Sequence, residues 1–222
     1  AHRPAVDPGG VDRDHEAAPS EFEHFLQIVH HTCVEKKGKL IIPAFSVGRT
    51  QEIVYMLDQL WNMGRLPKVP VYVDSPLAVN ATVVYGSHPE CYDSELSTYI
   101  LKDPNPFGFS RLSYIKEVEG SKRLNNSDEP CIIISASGMA NAGRVKHHLF
   151  NNIEDSRNTV LIVGYASPDT PAGRLRAGSN HLRLFGEEKM VRCHVEIMDS
   201  FSAHADRDEL SGFLNNQRHS TK

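Results

Sequence analysis

One unit recurs four times along the chain: a short apolar run, a turn of small residues, then a helical pattern. The first begins at Leu40-Ile41-Ile42-Pro43 and turns through residues 44–48. Apolar residues then recur at Ile53, Val54, Leu57, Leu60 and Trp61, a 3.6-residue period that predicts a helix. The second runs over residues 69–73 and ends in Asp74-Ser75-Pro76. The third is Cys131-Ile132-Ile133-Ile134, then Ser135-Ala136-Ser137-Gly138, with a helix expected over residues 144–150. The fourth is residues 159–163, then residues 164–173, then Arg174-Leu175-Arg176.

Continuous β-branched runs predict strands buried on both faces. Their alternation with helices predicts an α/β fold, a mainly parallel sheet flanked by helices. Ligands of such sheets bind beyond the carboxyl ends of the strands. Residues 102–126 carry a strong turn signal, Asp103-Pro104-Asn105-Pro106-Phe107-Gly108, and read as a surface excursion with a short helix near residues 112–118. The opening AHRPAVDPGG is polar and rich in Pro and Gly, and reads as a loose tail over residues 1–14.

Hydrophobic residues make up 40% and charged residues 23%, an ordinary balance for a globular protein. No apolar run approaches the roughly 20 residues of a membrane span. The formal net charge of −4 argues against bulk electrostatic attraction to nucleic acid, so any grip on phosphate has to be local. The cysteines Cys33, Cys91, Cys131 and Cys193 form no C-x-x-C pair and read as structural thiols in a reducing cytoplasm.

Several residues with anion chemistry follow the apolar runs: Gly48 and Arg49, Asp74 and Ser75, Ser135, Ser137 and Gly138 with Arg144, and Arg174. Glycines let backbone amides approach a ligand, helix starts favour anions, and arginine matches phosphate. Together they suggest an anion-binding crevice, whereas each pair alone is ordinary turn chemistry. Phe201-Ser202-Ala203-His204-Ala205-Asp206 follows a further strand pattern, Val195-Glu196-Ile197-Met198. His204 there is placed for proton transfer, or else Ser202 simply caps a helix over residues 205–214. His30-His31 and His147-His148 are adjacent pairs whose members point about 100° apart on a helix, so neither pair suits one metal.

These motifs are similar to those of the β-CASP family of metallo-β-lactamase-fold RNA-processing nucleases. Ile42 through Glu52 resembles that family's IPAFAVGRTQE segment, and Asp74-Ser75-Pro76-Leu77-Ala78 its DSPLA element, with His88-Pro89-Glu90 following. Ser135-Ala136-Ser137-Gly138-Met139, Gly143-Arg144-Val145 and His147-His148-Leu149 resemble SGSGM and GRVLHHL, and residues 201–206 resemble FSAHAD.

The resemblance implies a zinc-dependent ribonuclease in which a β-CASP domain, inserted into a metallo-β-lactamase domain, covers the active-site cleft. It implies that His204 is the motif B histidine, a general acid. It also implies that Ser135, Ser137, Arg144 and Ser202, with Arg49 and Arg174 more weakly, hold substrate phosphates. RNA is the implied partner, without a membrane, and a homodimer is left open.

The family's H-x-H-x-D-H motif is absent, residues 6–11 do not match its acidic motif A, and the motif C histidine is expected on a strand beyond Lys222. The chain therefore reads as a β-CASP domain over residues 15–192 plus a short return, residues 193–222, into the αββα metallo-β-lactamase domain. Two zinc ions belong to the full-length family enzyme and none is expected in this chain alone. The alternative is an inactive β-CASP module that binds nucleic acid or a partner.

Overall fold

A computed structural model describes residues 19–199. The expected strands are neighbours in one sheet. The strands are β1 (Leu40–Pro43), β2 (Val71–Asp74), β3 (Leu112–Ile115), β4 (Ile132–Ser135), β5 (Thr159–Val163) and, after a hairpin, β8 (His194–Met198). The six lie in the order β3-β2-β4-β1-β5-β8, and every pairing is parallel. The hairpin strands β6 (His181–Leu184) and β7 (Glu187–Met190) pair antiparallel with each other.

The helices are α1 (Pro19–Val29), α2 (Arg49–Asn62), α3 (Pro76–Ser87), α4 (Ser94–Tyr99), α5 (Val118–Asn126), α6 (Arg144–Asn152) and α7 (Pro171–Arg176). A parallel sheet demands crossover connections, and the helices supply them on both faces. Successive strand residues point to opposite faces. Leu40, Ile42, Val71, Val73, Ile132 and Ile134 accordingly pack with α1, α2 and α3. Ile41, Val160 and Ile162 pack with α6, α7 and the hairpin, and Ile133 with Leu124 of α5. Both faces are covered, which is why the runs carry no polar alternation. Each fully buried isoleucine contributes roughly 1.5–3 kcal/mol.

The expected helix near residues 112–118 differs from the structure. Residues 112–117 are not helical: Leu112–Ile115 forms edge strand β3, in register with Val71–Asp74, and the helix begins only at Val118. Four residues are too few to show a period, and pairing with β2 decides their conformation. The strand that follows residue 193, the boundary expected from the sequence, joins the same sheet. β8 extends it, with His194 opposite Thr159 and Met198 opposite Val163.

Three thiols are buried and free, Cys33, Cys131 and Cys193, but Cys91 is exposed. Burial pushes the Cys33 and Cys131 thiols up to about 12 and that of Cys193 to about 11, which leaves them protonated and unreactive.

Candidate functional site

Because all six strands are parallel, their carboxyl ends share one edge, and α2, α3, α5, α6 and α7 begin there. Ser75 caps α3 by accepting from the Ala78 amide at 3.2 Å, and Thr170 caps α7 through Gly173 N–H at 3.1 Å. The starts of α2 and α6 use glycines instead, Gly48 with φ +81° and Gly143 with φ +75°. A Cβ on Gly143 would lie 2.3 Å from the Ala136 carbonyl oxygen, so that backbone passes too close for any side chain.

Asp74 organises this edge. It ends β2 on the face shared with α5 and α6, and its side chain is fully buried. Arg144 Nη1 donates to Oδ1 at 2.7 Å, His148 Nε2 lies 2.6 Å from Oδ2, and the Ser121 hydroxyl donates to the same Oδ2. Burial alone would raise the Asp74 carboxyl, but the hydrogen bonds from His148, Ser121 and Arg144 outweigh it and hold it below the usual carboxylate range.

The far side of the His148 ring meets a second set of polar side chains. Lys39 Nζ, which can only donate, lies 3.1 Å from Asn152 Oδ1, so the Asn152 amide nitrogen faces the other way. That nitrogen donates to the His148 carbonyl at 2.8 Å and to Asn125 Oδ1 at 3.1 Å. The same Asn125 oxygen lies 2.8 Å from His148 Nδ1. Both ring nitrogens therefore face side-chain oxygens, Asn125 Oδ1 on one side and Asp74 Oδ2 on the other. The Arg144 guanidinium is thereby fixed against a buried carboxylate at the carboxyl edge, where water screens charge poorly.

The residues expected to hold phosphate occupy different places. Arg144 stands at this cluster with 18% of its side chain exposed, and also donates to the carbonyls of Ile115 and Lys116. Ser137 is partly exposed, and its hydroxyl donates to Asn141 Oδ1 at 3.1 Å. Ser135 is fully buried and its hydroxyl donates to the Asp74 carbonyl at 2.8 Å. In place of lining the expected crevice, it braces β4 against β2. Arg49 is ion-paired with Glu52, and Arg174 is exposed on α7. Ser202 and His204 lie outside the described residues.

Exposed apolar side chains rim the same edge, among them Phe45 (44%), Leu77 (61%) and Tyr165 (58%). The adjacent histidines His30 and His31 do reach one group: both contact Glu35, at 3.1 and 2.9 Å, because residues 30–35 form a π-helix with a wider turn. Among the described residues, however, no three His, Cys, Asp or Glu side chains converge to hold a metal, so these residues do not fit a zinc centre.

Sequence reasoning treated His148 as uninformative and passed over Ser121. The available signal was the i, i+4 spacing of Arg144 and His148, which puts both on one helix face above the strand that ends in Asp74. It also missed Arg176, whose guanidinium grips Asp199 through two bonds of 2.6 and 2.7 Å and ties α7 to the end of β8.

A family model described as the Beta-Casp domain matches residues 50–175. The chain belongs to the β-CASP family. A second model, described as a Zn-dependent metallo-hydrolase RNA specificity domain, matches residues 188–220. A ribonuclease of Thermus thermophilus is 34% identical over 203 residues, which cover 91% of this chain and 46% of that protein. The transcription termination factor FttA of Methanosarcina mazei is 32% identical over 203 residues, covering 89% of this chain and 32% of the factor. An RNase J-like protein of Methanocaldococcus jannaschii is 33% identical over 181 residues, covering 82% of this chain and 41% of that protein. The β-CASP chain thus spans less than half the length of these curated relatives.

Proposed function

We propose that this β-CASP chain is the substrate-holding part of a zinc-dependent RNA-processing ribonuclease that hydrolyses phosphodiester bonds. The observation that supports it most is the Arg144 guanidinium, held on Asp74 beside His148. It sits at the sheet edge where five helices begin, so backbone dipoles and the guanidinium both favour an anion. This gives a chain of net charge −4 a local grip on phosphate without a basic surface.

In this function Arg144 and Ser137 face RNA phosphates from the β-CASP side, with Arg49, Arg174 and Ser202 around them. Ser135 acts indirectly by holding β2 and β4 in register. His204 donates a proton to the leaving oxygen as water adds to phosphorus. The family's zinc ions would activate that water when bound; the described residues bind and position RNA and supply no metal ligands. Three buried, protonated thiols suit a reducing compartment, so a cytoplasmic location is part of the proposal. Among the described residues, no helix is long and apolar enough to cross a membrane.

The deciding experiment compares RNA cleavage by a longer protein containing this chain, with and without His204→Ala, both folded and zinc-loaded. The replacement should cost about 10²–10⁴-fold in single-turnover rate while RNA affinity is kept. Equal rates would make residue 204 a helix-start residue and leave the chain a binding module.

A further inference from the structure

The hairpin that follows α7 turns through Phe185 and Gly186, between Leu184 and Glu187, with φ +50° and +88°. Two left-handed residues in succession are the mark of a type I′ turn, for which Asn-Gly is the favoured pair. A phenylalanine in the first position is costly for the backbone. Its ring is not repaid by deep burial, since Phe185 stays 48% exposed. Something other than the turn itself keeps an aromatic ring there.

The surroundings of the ring suggest what. The His147 imidazole lies 4.6 Å from it at a tilt of 36°, and the Lys146 ammonium lies 4.7 Å from its centroid. Phe150 meets it edge-on at 5.6 Å, and Lys189 Nζ lies 4.3 Å over the Phe150 ring. Lys189 also pairs with Glu154 at 3.3 Å, whereas Lys146 has no carboxylate partner among the described residues. An exposed ring flanked by an imidazole and an unneutralised ammonium offers a face to a nucleobase and a charge to its phosphate. Lys146 and His147 follow Arg144 within one turn of α6, a rise of about 5 Å, and turn to the hairpin side of that helix, so the patch lies next to the Arg144 face rather than on it.

We infer that Phe185, with Lys146 and His147, forms a base-stacking platform for single-stranded RNA beside the strand-end site, an inference that rests on the RNA-processing function proposed above. The probes are a fluorescent oligoadenylate of about ten nucleotides and an abasic oligomer of the same length, titrated against the 222-residue chain at fixed salt. Phe185→Asn suits the left-handed turn and should keep the melting temperature. It should weaken oligoadenylate binding roughly ten-fold and leave the abasic oligomer unaffected. Phe185→Leu retains an apolar cover over α6 without a π-face and should behave alike, which keeps the test open if the asparagine variant folds poorly. Lys146→Gln should weaken both probes and flatten the salt dependence.

Oligoadenylate affinity unchanged in folded Phe185→Asn or Phe185→Leu would overturn the platform, as would equal losses on both probes. A wild-type chain that binds neither probe would also overturn it. If the longer protein still cleaves RNA in any of these cases, the ribonuclease function stands without the platform.

Discussion

Asp74 Oδ2 and His148 Nε2 lie 2.6 Å apart, both side chains fully buried, joining the end of a strand to the middle of a helix 74 residues away in sequence. The bond is one arm of a chain that runs from Arg144 through Asp74, His148, Asn125 and Asn152 to Lys39. Each link constrains the polarity of the next, so the cluster is satisfied as a whole or not at all.

Removing the charge at its centre should therefore be severe. Asp74→Asn leaves the largely buried Arg144 guanidinium without its counter-charge and should cost about 3–5 kcal/mol of stability, read from the urea midpoint. A cost below about 1 kcal/mol would show that the cluster is a weak electrostatic contact. Combining Asp74→Asn with His148→Gln should cost less than the sum of the single changes, because the partners share one interaction.

Two carboxyls should give opposite pH signatures. The folded-state pKa of Asp74 is depressed, so its contribution is present above the ordinary carboxylate value of about 4 and is lost as pH falls through the lower folded value. Asp58 behaves in reverse. Burial pushes it up to about 6 despite a bond from Tyr99, and its buried Oδ1 has no hydrogen-bond partner among the described residues. Folded Asp58 holds a proton that the unfolded chain has already lost, so it costs stability as pH rises from about 4 to 6. Asp58→Asn should add about 1 kcal/mol at pH 7 and nothing near pH 4, measured by chemical denaturation at both. A gain that is equal at both pH values would place the benefit outside titration.

Gly143→Ala tests the start of α6. The left-handed backbone and the 2.3 Å approach to the Ala136 oxygen both exclude a Cβ. The substitution should destabilise by about 2 kcal/mol or more and weaken RNA binding by displacing Arg144. Gly64→Ala, also at positive φ but with open space around it, should cost only the conformational part, about 1 kcal/mol. Similar losses in the two variants would mean that the approach to Ala136 is easily relieved.

Arg176→Gln separates stability from positioning. Asp199 is 63% exposed, so losing this pair should change stability by less than about 1 kcal/mol. The pair nevertheless fixes Asp199, directly after β8 and three residues before Ser202 in sequence. Turnover by the longer protein should fall several-fold at unchanged RNA affinity, and an unchanged turnover would detach Arg176 from the site.

How much was legible beforehand differs by element. The strands β1, β2, β4 and β5 were readable because burial on both faces leaves uninterrupted runs such as Ile132-Ile133-Ile134. β3 was not, because Leu112-Ser113-Tyr114-Ile115 is a half-exposed edge whose only instruction is the backbone of β2. Arg144 was picked out for its chemistry, but its contacts with Asp74, Ile115 and Lys116 depend on three elements meeting. Ser135 shows the opposite failure. A serine at a strand end has a motif's appearance, yet period-2 alternation turns it onto the helix-covered face, where it is enclosed.

The all-parallel order also sets aside one end of the molecule for handling. The turn between α5 and β4 lies at the amino end of the strands, and the Asp128 side chain there is 91% exposed, with one loose contact to Arg157 at 3.3 Å. A strand of four residues separates that turn from the Asp74 cluster, a distance of about 13 Å. A cysteine-coupled dye or surface tether placed at position 128, with the exposed Cys91 replaced, would leave the opposite edge clear for an RNA strand to arrive and depart.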